Sequence, residues 1–505
     1  MTSKKTIRFF AVVLTLIMAA VPLLSCVASA ETYLTPVIHV PGIYTTDIYA
    51  DLGTENERLA FPPSQEAINE CVNELPKAAL KFAQSADWKG LSNIVSPMIC
   101  KLFEDFACNA DGSPKEGTGI KWTYPSIVKR SGVRSAYTFY YDWRLDLMEI
   151  AEDLNDFVTY ICNGMGCDKV IFDVHSMGGS LLSAYISLYG YGRIEKVVLN
   201  SAAIFGTSVA GDPFTKKIKF SPVAIARFVD DTVSGKDDQS ALVKATVELC
   251  SKAGILDYVG NVGDVLIENL MDYVYEDALM ETFGTMPSLW ALIPGSQYEE
   301  AMNIMITDET SPVLVERINN FKSHVTDHAE EIVRGFDANS IPFIVVSRYN
   351  FQIPPVIEKW ENNSDGVIDT MYTSFGATCA PLGEELSEEY LANVDAGYIS
   401  PDKSIDASTC MFPDRTWFVK DLQHSSEAGN RFFGKLYDAF YNSEDRFTVD
   451  SSAEFPRYLV ITETGEVVAE TAAEKPAATT WLQTILKFLK AAYVMLVKWF
   501  EGFLK

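Results

Sequence analysis

The sequence predicts an α/β fold, with a mostly parallel central sheet and helices on both of its faces. Short apolar segments rich in branched and aromatic residues recur along the chain, as is typical of buried strands. Residues 147–161 lie between two such segments and place apolar side chains at helical spacing, which indicates a helix packing one face on a sheet. This alternation of strands and helices favours parallel pairing. The predicted strands are 34–40, 136–141, 169–174, 196–199 and 341–346.

Residues 169–185, KVIFDVHSMGGSLLSAY, have the pattern of a strand, a sharp turn and a helix. The turn matches the G-x-S-x-G elbow with its first glycine replaced by Val174, and such an elbow lifts a serine hydroxyl, here that of Ser176, above the sheet edge. The amide of Met177 would face an oxyanion at the helix N-terminus. The alternative is an ordinary serine in a glycine-rich turn, because a short motif counts only with its structural context.

Catalysis by a serine hydroxyl requires a base, an acid group that orients the base, and donors for an oxyanion. Of the five histidines, His424 lies in a loop after the last strands and follows the serine in the chain order that α/β-hydrolases use. Asp365, in a turn directly after a strand, is the favoured orienting acid. Asp369 and Asp395 are the alternatives.

The strand 34–40 ends at Pro41-Gly42, where α/β-hydrolases place the loop that supplies a second oxyanion amide. Ile43 or Tyr44 would supply this amide, and Ile43 is the favoured candidate. His39, inside the strand, has no partner suggested by the sequence and is interpreted as structural.

The net charge indicates which partners the protein can bind, and the N-terminal residues indicate its compartment. The formal net charge of the 505 residues is −27 at pH 7, so no nucleic-acid partner is expected. Residues 1–30 combine a basic end, an apolar middle and a small-residue cleavage site, which predicts a secretory signal peptide and a secreted or extracellular protein. A lipoprotein signal ending at Cys26 is the alternative.

Eight cysteines follow the leader, and an even number in an exported protein favours disulfides. The favoured pairs are Cys100/Cys108, Cys162/Cys167 and Cys379/Cys410, with buried free thiols as the alternative. No cofactor or metal is expected: His324 and His328 have ligand spacing on a helix but lack a third ligand.

The chain divides into a main domain over 31–455 and a C-terminal extension. Two long segments without strong strands, 52–120 and 205–338, are predicted to be a lid and a helical cap. A hairpin-like piece at 456–469 and a linker at 470–480 follow. The amphipathic segment 481–505 is too interrupted to cross a bilayer, so it is expected either to associate with a membrane surface or to pack on the protein itself.

Several blocks together resemble the lecithin:cholesterol acyltransferase family, which includes lysosomal phospholipase and phospholipid:diacylglycerol acyltransferases. They are VHSMGG, HVPGI, YDWR at 141–144, MPSLWALIP at 286–294, SDGVI at 364–368 and His424, scattered over about 34–430. The resemblance implies an α/β-hydrolase fold with Ser176 as nucleophile, Asp365 as orienting acid and His424 as general base and acid. It further implies oxyanion amides from Ile43 and Met177, with Trp143 and Arg144 buttressing the site.

The sequence thus predicts an exported serine enzyme that acts on lipid or phospholipid esters through an acyl-enzyme, as an O-acyltransferase or as a lipase or phospholipase. The alternatives are a non-catalytic, surface-anchored protein that keeps the fold, and a soluble carboxylesterase. The side chains expected to contact the substrate are Tyr44, Trp143, His175 and Trp290.

Overall fold

The computed structural model describes residues 33–471 apart from short gaps at 86, 220, 222, 225, 228–237, 254–263, 266–267, 356, 427–429 and 463. The predicted signal peptide, most of the predicted linker and the amphipathic segment 481–505 lie outside the described residues. No helix within the described ranges is long and apolar enough to cross a membrane.

An eight-stranded sheet forms the centre of the molecule, in the order β8-β7-β6-β5-β4-β3-β1-β2. Every neighbouring pair is parallel except β7 with β8, so the prediction of a mostly parallel sheet is confirmed. The strands are β1 (Val37–Val40), β2 (Ala136–Thr138), β3 (Val170–His175), β4 (Ile194–Asn200), β5 (Phe343–Tyr349), β6 (Thr416–Lys420), β7 (Tyr458–Ile461) and β8 (Val467–Ala469).

The predicted hairpin at 456–469 is present, and it belongs to the main sheet. Its first strand, β7, pairs in parallel with β6, and its second strand, β8, forms the sheet edge. The sheet therefore continues past residue 455, the predicted end of the main domain.

Helices account for most of the remaining regular structure, and a π-helix at Tyr275–Gly284 is among them. The α-helices of the described ranges are α1 (Gln65–Ser85), α2 (Trp88–Leu102), α3 (Leu147–Met165), α4 (Met177–Tyr189), α5 (Ser208–Phe214), α6 (Asp238–Lys252), α7 (Pro287–Trp290), α8 (Tyr298–Met305), α9 (Pro312–His324), α10 (Ala329–Ala338), α11 (Thr370–Thr373), α12 (Glu388–Leu391) and α13 (Arg431–Asn442).

The two faces of the sheet bury different sets of side chains, as the two-residue period of a strand requires. One face packs into the large core with α3 and α4 and includes Phe172 and Val174 of β3. The other face packs against α13 and includes Ile171 of the same strand. Asp173 and His175 therefore point to the α13 side of the sheet.

The predicted lid segment, 52–120, contains α1 and α2, and it contributes two strands to a small antiparallel sheet that the sequence does not predict. The third strand of this sheet precedes the segment. The strands of the sheet, Ile48–Ala50, Arg58–Leu59 and Gly119–Ile120, have two or three residues each, too few for a detectable pattern. Arg144 ties this segment to the main sheet, because its buried guanidinium pairs with Asp142 at 2.7 Å and donates to the Phe106 carbonyl at 2.8 Å. The buttressing role expected for Arg144 fits these contacts.

Within the described residues of the predicted cap, 205–338, the regular structure is helical, apart from an isolated β-bridge between Ile218 and Ile357. Two of its helices, α9 and α10, are separated by a 3-10 turn at Thr326–His328. α9 ends at His324, and its C-cap residue Val325 leaves the helical conformation.

The predicted disulfide pairs are wrong for this structure. All eight cysteines from Cys71 to Cys410 are free thiols. Cys100 shows why spacing along the chain is a poor guide, because its Sγ lies 3.3 Å from the Asp277 carbonyl of the π-helix instead of facing Cys108. Burial raises the pKa of Cys108 to about 12, so this thiol is protonated at neutral pH.

Candidate active site

Ser176 occupies the turn between β3 and α4 in a conformation that non-glycine residues rarely adopt, with φ 57° and ψ −129°. Three backbone hydrogen bonds hold it: its N–H donates to the Asn200 carbonyl (3.3 Å), and its carbonyl accepts from Gly179 (2.9 Å) and Ala203 (2.9 Å). A strained backbone conformation of this kind persists only where the surrounding structure holds it in place, and such conformations are concentrated at functional sites. The elbow thus forms with Val174 in place of the first glycine.

Three glycines allow neighbouring segments of the chain to lie very close to this turn. A methyl group on Gly178 would overlap the Val40 carbonyl oxygen, and one on Gly179 would lie 2.6 Å from Ala202 Cβ. A methyl group on Gly42 would overlap Ser176 Cβ and lie 2.7 Å from its Oγ. The serine side chain is therefore packed directly against the loop that follows β1.

His424 and Asp365 form the acid-base pair that the sequence predicts. His424 Nδ1 lies 2.6 Å from Asp365 Oδ2, and the His424 N–H donates to the Asp365 carbonyl at 2.9 Å. The other carboxylate oxygen, Oδ1, accepts from the amides of Val367 (2.9 Å) and Ile368 (2.7 Å). This arrangement directs a proton-bearing Nδ1 at the carboxylate and leaves Nε2 of the ring available as a base.

The pKa of Asp365 reflects two opposed effects. Complete burial on its own would raise this pKa, but the charge and hydrogen bond of His424, the Ile368 amide and the charge of Arg348 lower it to about 2. Asp365 is therefore ionised throughout the range in which esterases work, as an orienting carboxylate must be.

The two alternative acids have other roles in this structure. Asp369 is buried, and its carboxylate accepts hydrogen bonds from the Ser208 amide (2.8 Å) and hydroxyl (2.8 Å) and from Asn362 (2.6 Å). Asp395 caps the 3-10 helix Ala396–Tyr398 through the amide of Gly397. Of the three candidate acids, Asp365 is the one that contacts His424.

Ser176 and His424 line the same two cavities, which places the predicted nucleophile beside the predicted base. Within the described residues no hydrogen bond joins the two side chains. Catalytic hydrogen bonds are often long or misaligned before substrate binds and tighten in the complex.

The two predicted oxyanion residues flank the serine. Met177 is the first residue of α4, and Ile43 lines both cavities together with Ser176. In the part of the chain that the structure describes, neither amide donates to another protein group. Both donors are thus free to stabilise negative charge on a substrate carbonyl oxygen.

Arg348 and His175 hold the loop that carries His424, a role the sequence does not reveal. Arg348 Nη1 donates to the carbonyls of His424 and Gln423, the latter at 2.8 Å, and Nη2 donates to Asn200 Oδ1 at 2.8 Å. His175 Nε2 lies 3.0 Å from the same His424 carbonyl. The one available signal is that Arg348 interrupts the apolar pattern of β5 near its carboxyl end.

Acid is expected to destabilise the protein partly through His175. Burial, with the nearby charges of His424 and Arg348, lowers the pKa of His175 to about 3. An unfolded chain binds this proton below about pH 6.5, so stability is full above that value and falls as the pH drops toward 3. In thermal unfolding measured from pH 7 to 4, His175→Leu is expected to lose less Tm than the wild type. Equal losses of Tm in the two proteins would show that protonation of His175 does not cause the loss of stability in acid.

Three of the four residues predicted to bind substrate need correction or refinement. Trp143 and Trp290 are buried, their indole N–H groups donate to the carbonyls of Thr46 (3.1 Å) and Gly284 (2.8 Å), and neither lines the two cavities. Their predicted contact with substrate is therefore wrong, because both serve as packing supports. His175 does line the polar cavity, and its main contact is with the His424 loop.

Tyr44 is the predicted substrate-binding residue with the most open position. Its side chain is 64% exposed, lines the apolar cavity and stacks on Phe61 with ring centroids 4.9 Å apart. Trp143 supports it edge-on at 5.0 Å. Tyr44 thus forms part of the cavity entrance and can contact a bound molecule.

Two cavities of opposite character meet at the serine, and Ile43, Ser176, His424 and Ser425 line both. The first has a volume of about 430 Å³ and is lined largely by apolar side chains of the cap, including those of α5 and the π-helix. The second has a volume of about 720 Å³ and lies between the sheet and α13, with mostly polar and charged side chains. Both volumes are in the range of small-molecule sites.

No protein-family model matches this sequence, and no curated protein matches it either. Several solved structures, including the following two, are similar over part of the chain. The structure of the Tle4-Tli4 complex has 11% identity and a TM-score of 0.24, covering 63% of this chain and 75% of the matched chain. A candidate aryl esterase from Burkholderia cenocepacia has 14% identity and a TM-score of 0.13, covering 39% and 70%. Neither likeness is close enough to assign a family or an activity.

Proposed function

We propose that this protein is a serine esterase that cleaves esters of apolar acyl chains through an acyl-enzyme on Ser176. One observation carries the proposal: the strained Ser176 lies beside the His424–Asp365 pair, whose Nδ1 and Oδ2 are 2.6 Å apart, at the meeting point of two cavities. A nucleophile, an oriented base and two free amides are the parts that acyl transfer requires.

The reaction follows from the roles of these groups. Nε2 of His424 takes the proton from Ser176 Oγ as the oxygen attacks the ester carbonyl, and Asp365 stabilises the imidazolium that forms. The amides of Ile43 and Met177 stabilise the oxyanion. The ester C–O bond then breaks, and the leaving alcohol takes the proton from His424. Water or another alcohol releases the acyl group by the same steps in reverse.

The apolar cavity supports an apolar acyl group as the substrate class. It is lined by side chains such as Phe214, Leu279, Phe283 and Leu292, which bury a hydrocarbon chain without leaving polar groups unpaired. Lipid esters have such chains, which favours a lipase, phospholipase or O-acyltransferase over an esterase for short acyl groups.

Membership of the lecithin:cholesterol acyltransferase type, export and the α/β-hydrolase fold are part of the same proposal. In support, the motif residues Ser176, Asp365 and His424 converge, and the Asp142–Arg144 ion pair lies under the lid segment. If the protein is non-catalytic, these three residues lie together without a role in any reaction.

Hydrolysis of p-nitrophenyl esters with two to sixteen acyl carbons tests the proposal. The wild type is expected to be active and to prefer the longer chains, and Ser176→Ala is expected to lose about 10⁴-fold or more in kcat. Ser323→Ala, at an exposed serine on α9, is the matched control and is expected to behave as the wild type. Activity that survives in Ser176→Ala would contradict the mechanism.

The apolar cavity is tested separately with Val209→Trp. Val209 is part of α5 and lines this cavity, so an indole there would occupy space otherwise available to the acyl chain. The expected result is a fall of about tenfold in kcat/KM for decanoate esters with little change for acetate esters. Val313→Trp, at an exposed position outside the cavity, is the control. Equal losses on both esters would show that the chain does not bind there.

A further inference from the structure

We propose that the polar cavity binds the alcohol part of the ester and selects a neutral, hydroxyl-rich alcohol of the glycerol or sugar type. This inference rests on the proposed serine chemistry and names the other half of its substrate.

The sheet side of the cavity carries a histidine-aspartate pair that the mechanism does not use. His39 of β1 and Asp173 of β3 are partners in the sheet register, and His39 Nδ1 lies 2.9 Å from Asp173 Oδ2. The side chain of His39 is 43% exposed and that of Asp173 is 12% exposed, and both line the polar cavity. The sequence suggests no partner for His39, and the structure provides one in Asp173.

The opposite wall is α13 from Arg431 to Asp438. Arg431, Lys435 and Asp438 are exposed on this helix and line the cavity. Lys435 forms an ion pair with Glu454 at 2.6 Å. The helix wall thus carries both cationic and anionic groups, and the sheet wall carries a carboxylate beside an imidazole.

Arg348 also lines the cavity, but its guanidinium donates to the His424 and Gln423 carbonyls and to Asn200, as Lys435 does to Glu454. The charged groups around the cavity favour one class of ligand. A phosphate or carboxylate in the cavity would meet the carboxylates of Asp173 and Asp438, and an ammonium group would meet Arg431 and Lys435. Hydroxyl groups can donate to the carboxylates and accept from the cations, so they satisfy both kinds of group. A neutral polyol therefore fits this wall chemistry better than an ionic alcohol.

The location of the cavity assigns it to the alcohol. Around the acyl carbon on Ser176, the carbonyl oxygen faces the amides of Ile43 and Met177, and the acyl chain enters the apolar cavity. The alcohol oxygen must lie beside His424, which donates its proton when the C–O bond breaks. The space beside His424 that remains is the polar cavity.

The test compares three octanoyl esters with the full chain: monooctanoylglycerol, methyl octanoate and octanoyl-glycerol phosphate. The wild type is expected to hydrolyse the glycerol ester with a kcat/KM about tenfold above the other two. In Asp173→Asn and in Asp438→Asn, the ratio of glycerol ester to methyl ester is expected to fall about tenfold, chiefly through KM. Asp308→Asn, at an exposed site outside the cavity, is expected to keep the wild-type ratio.

Two results would overturn the inference while leaving the esterase intact: equal rates on glycerol and methyl esters, or a preference for the phosphate ester. An unchanged ratio in both cavity variants would do the same. Asp438 is exposed on a helix, so its variant remains informative if Asp173→Asn does not fold. No hydrolysis of any ester, with Ser176 unreactive, would instead overturn the proposed function and the inference with it.

Discussion

Replacing Asp365 by asparagine is expected to lower kcat for ester hydrolysis by about 10⁴-fold. Oδ1 of Asp365 accepts from the Val367 and Ile368 amides, so the asparagine oxygen will keep that position. Its NH₂ group must then face His424 Nδ1, which forces the proton to Nε2. A ring with its proton on Nε2 cannot accept one from the serine hydroxyl.

The control for this variant is Asp395→Asn, which changes an exposed capping aspartate and is expected to retain full activity. Steady-state kinetics on one long-chain ester, with circular dichroism to show that both variants fold, provide the comparison. A folded Asp365→Asn protein within tenfold of the wild type would mean that His424 does not act as the base in this geometry.

Alanine at Gly42 is expected to reduce kcat by about 10²-fold while the protein still folds. The new methyl group would overlap Ser176 Cβ and lie 2.7 Å from Oγ, so the serine or the loop after β1 must move. Either movement shifts the nucleophile relative to the oxyanion amide of Ile43. A displacement near 1 Å at the reacting atom is enough for a loss of this size.

Gly192→Ala is the matched control, because a methyl group there meets nothing within 4 Å and its φ lies outside the left-handed region. It is expected to leave kcat and Tm at wild-type values. Burst kinetics with p-nitrophenyl esters will separate slow acylation from slow deacylation. A Gly42→Ala enzyme with wild-type kcat would show that Oγ does not react from its present position.

The central strands could be predicted because a strand buried in a parallel sheet is a nearly continuous apolar run. β3, β4 and β5 lie within a few residues of their predicted positions for this reason. The addition of β7 to the sheet could not be predicted, since it depends on pairing with β6, about 40 residues earlier. Periodicity identifies a strand, but it does not identify the neighbour of that strand.

The residues of the proposed triad could be selected for a different reason: residue type and chain order restrict the choice strongly when only five histidines exist. The groups that position these residues could not be predicted from the sequence. Arg348 acts on a backbone carbonyl 76 residues away, and the His39–Asp173 pair exists only because β1 and β3 are neighbours. Trp290 shows the opposite case. The sequence predicts that it contacts the substrate, but its side chain packs inside the protein.

The most direct measurement is the site of reaction with a fluorophosphonate probe, read by peptide mass after digestion of the full chain. The expected result is one modified peptide carrying the phosphonate on Ser176, labelling that disappears in Ser176→Ala, and unchanged labelling in Ser323→Ala. An unmodified protein, or a phosphonate on another serine, would contradict the assignment of Ser176 as the nucleophile.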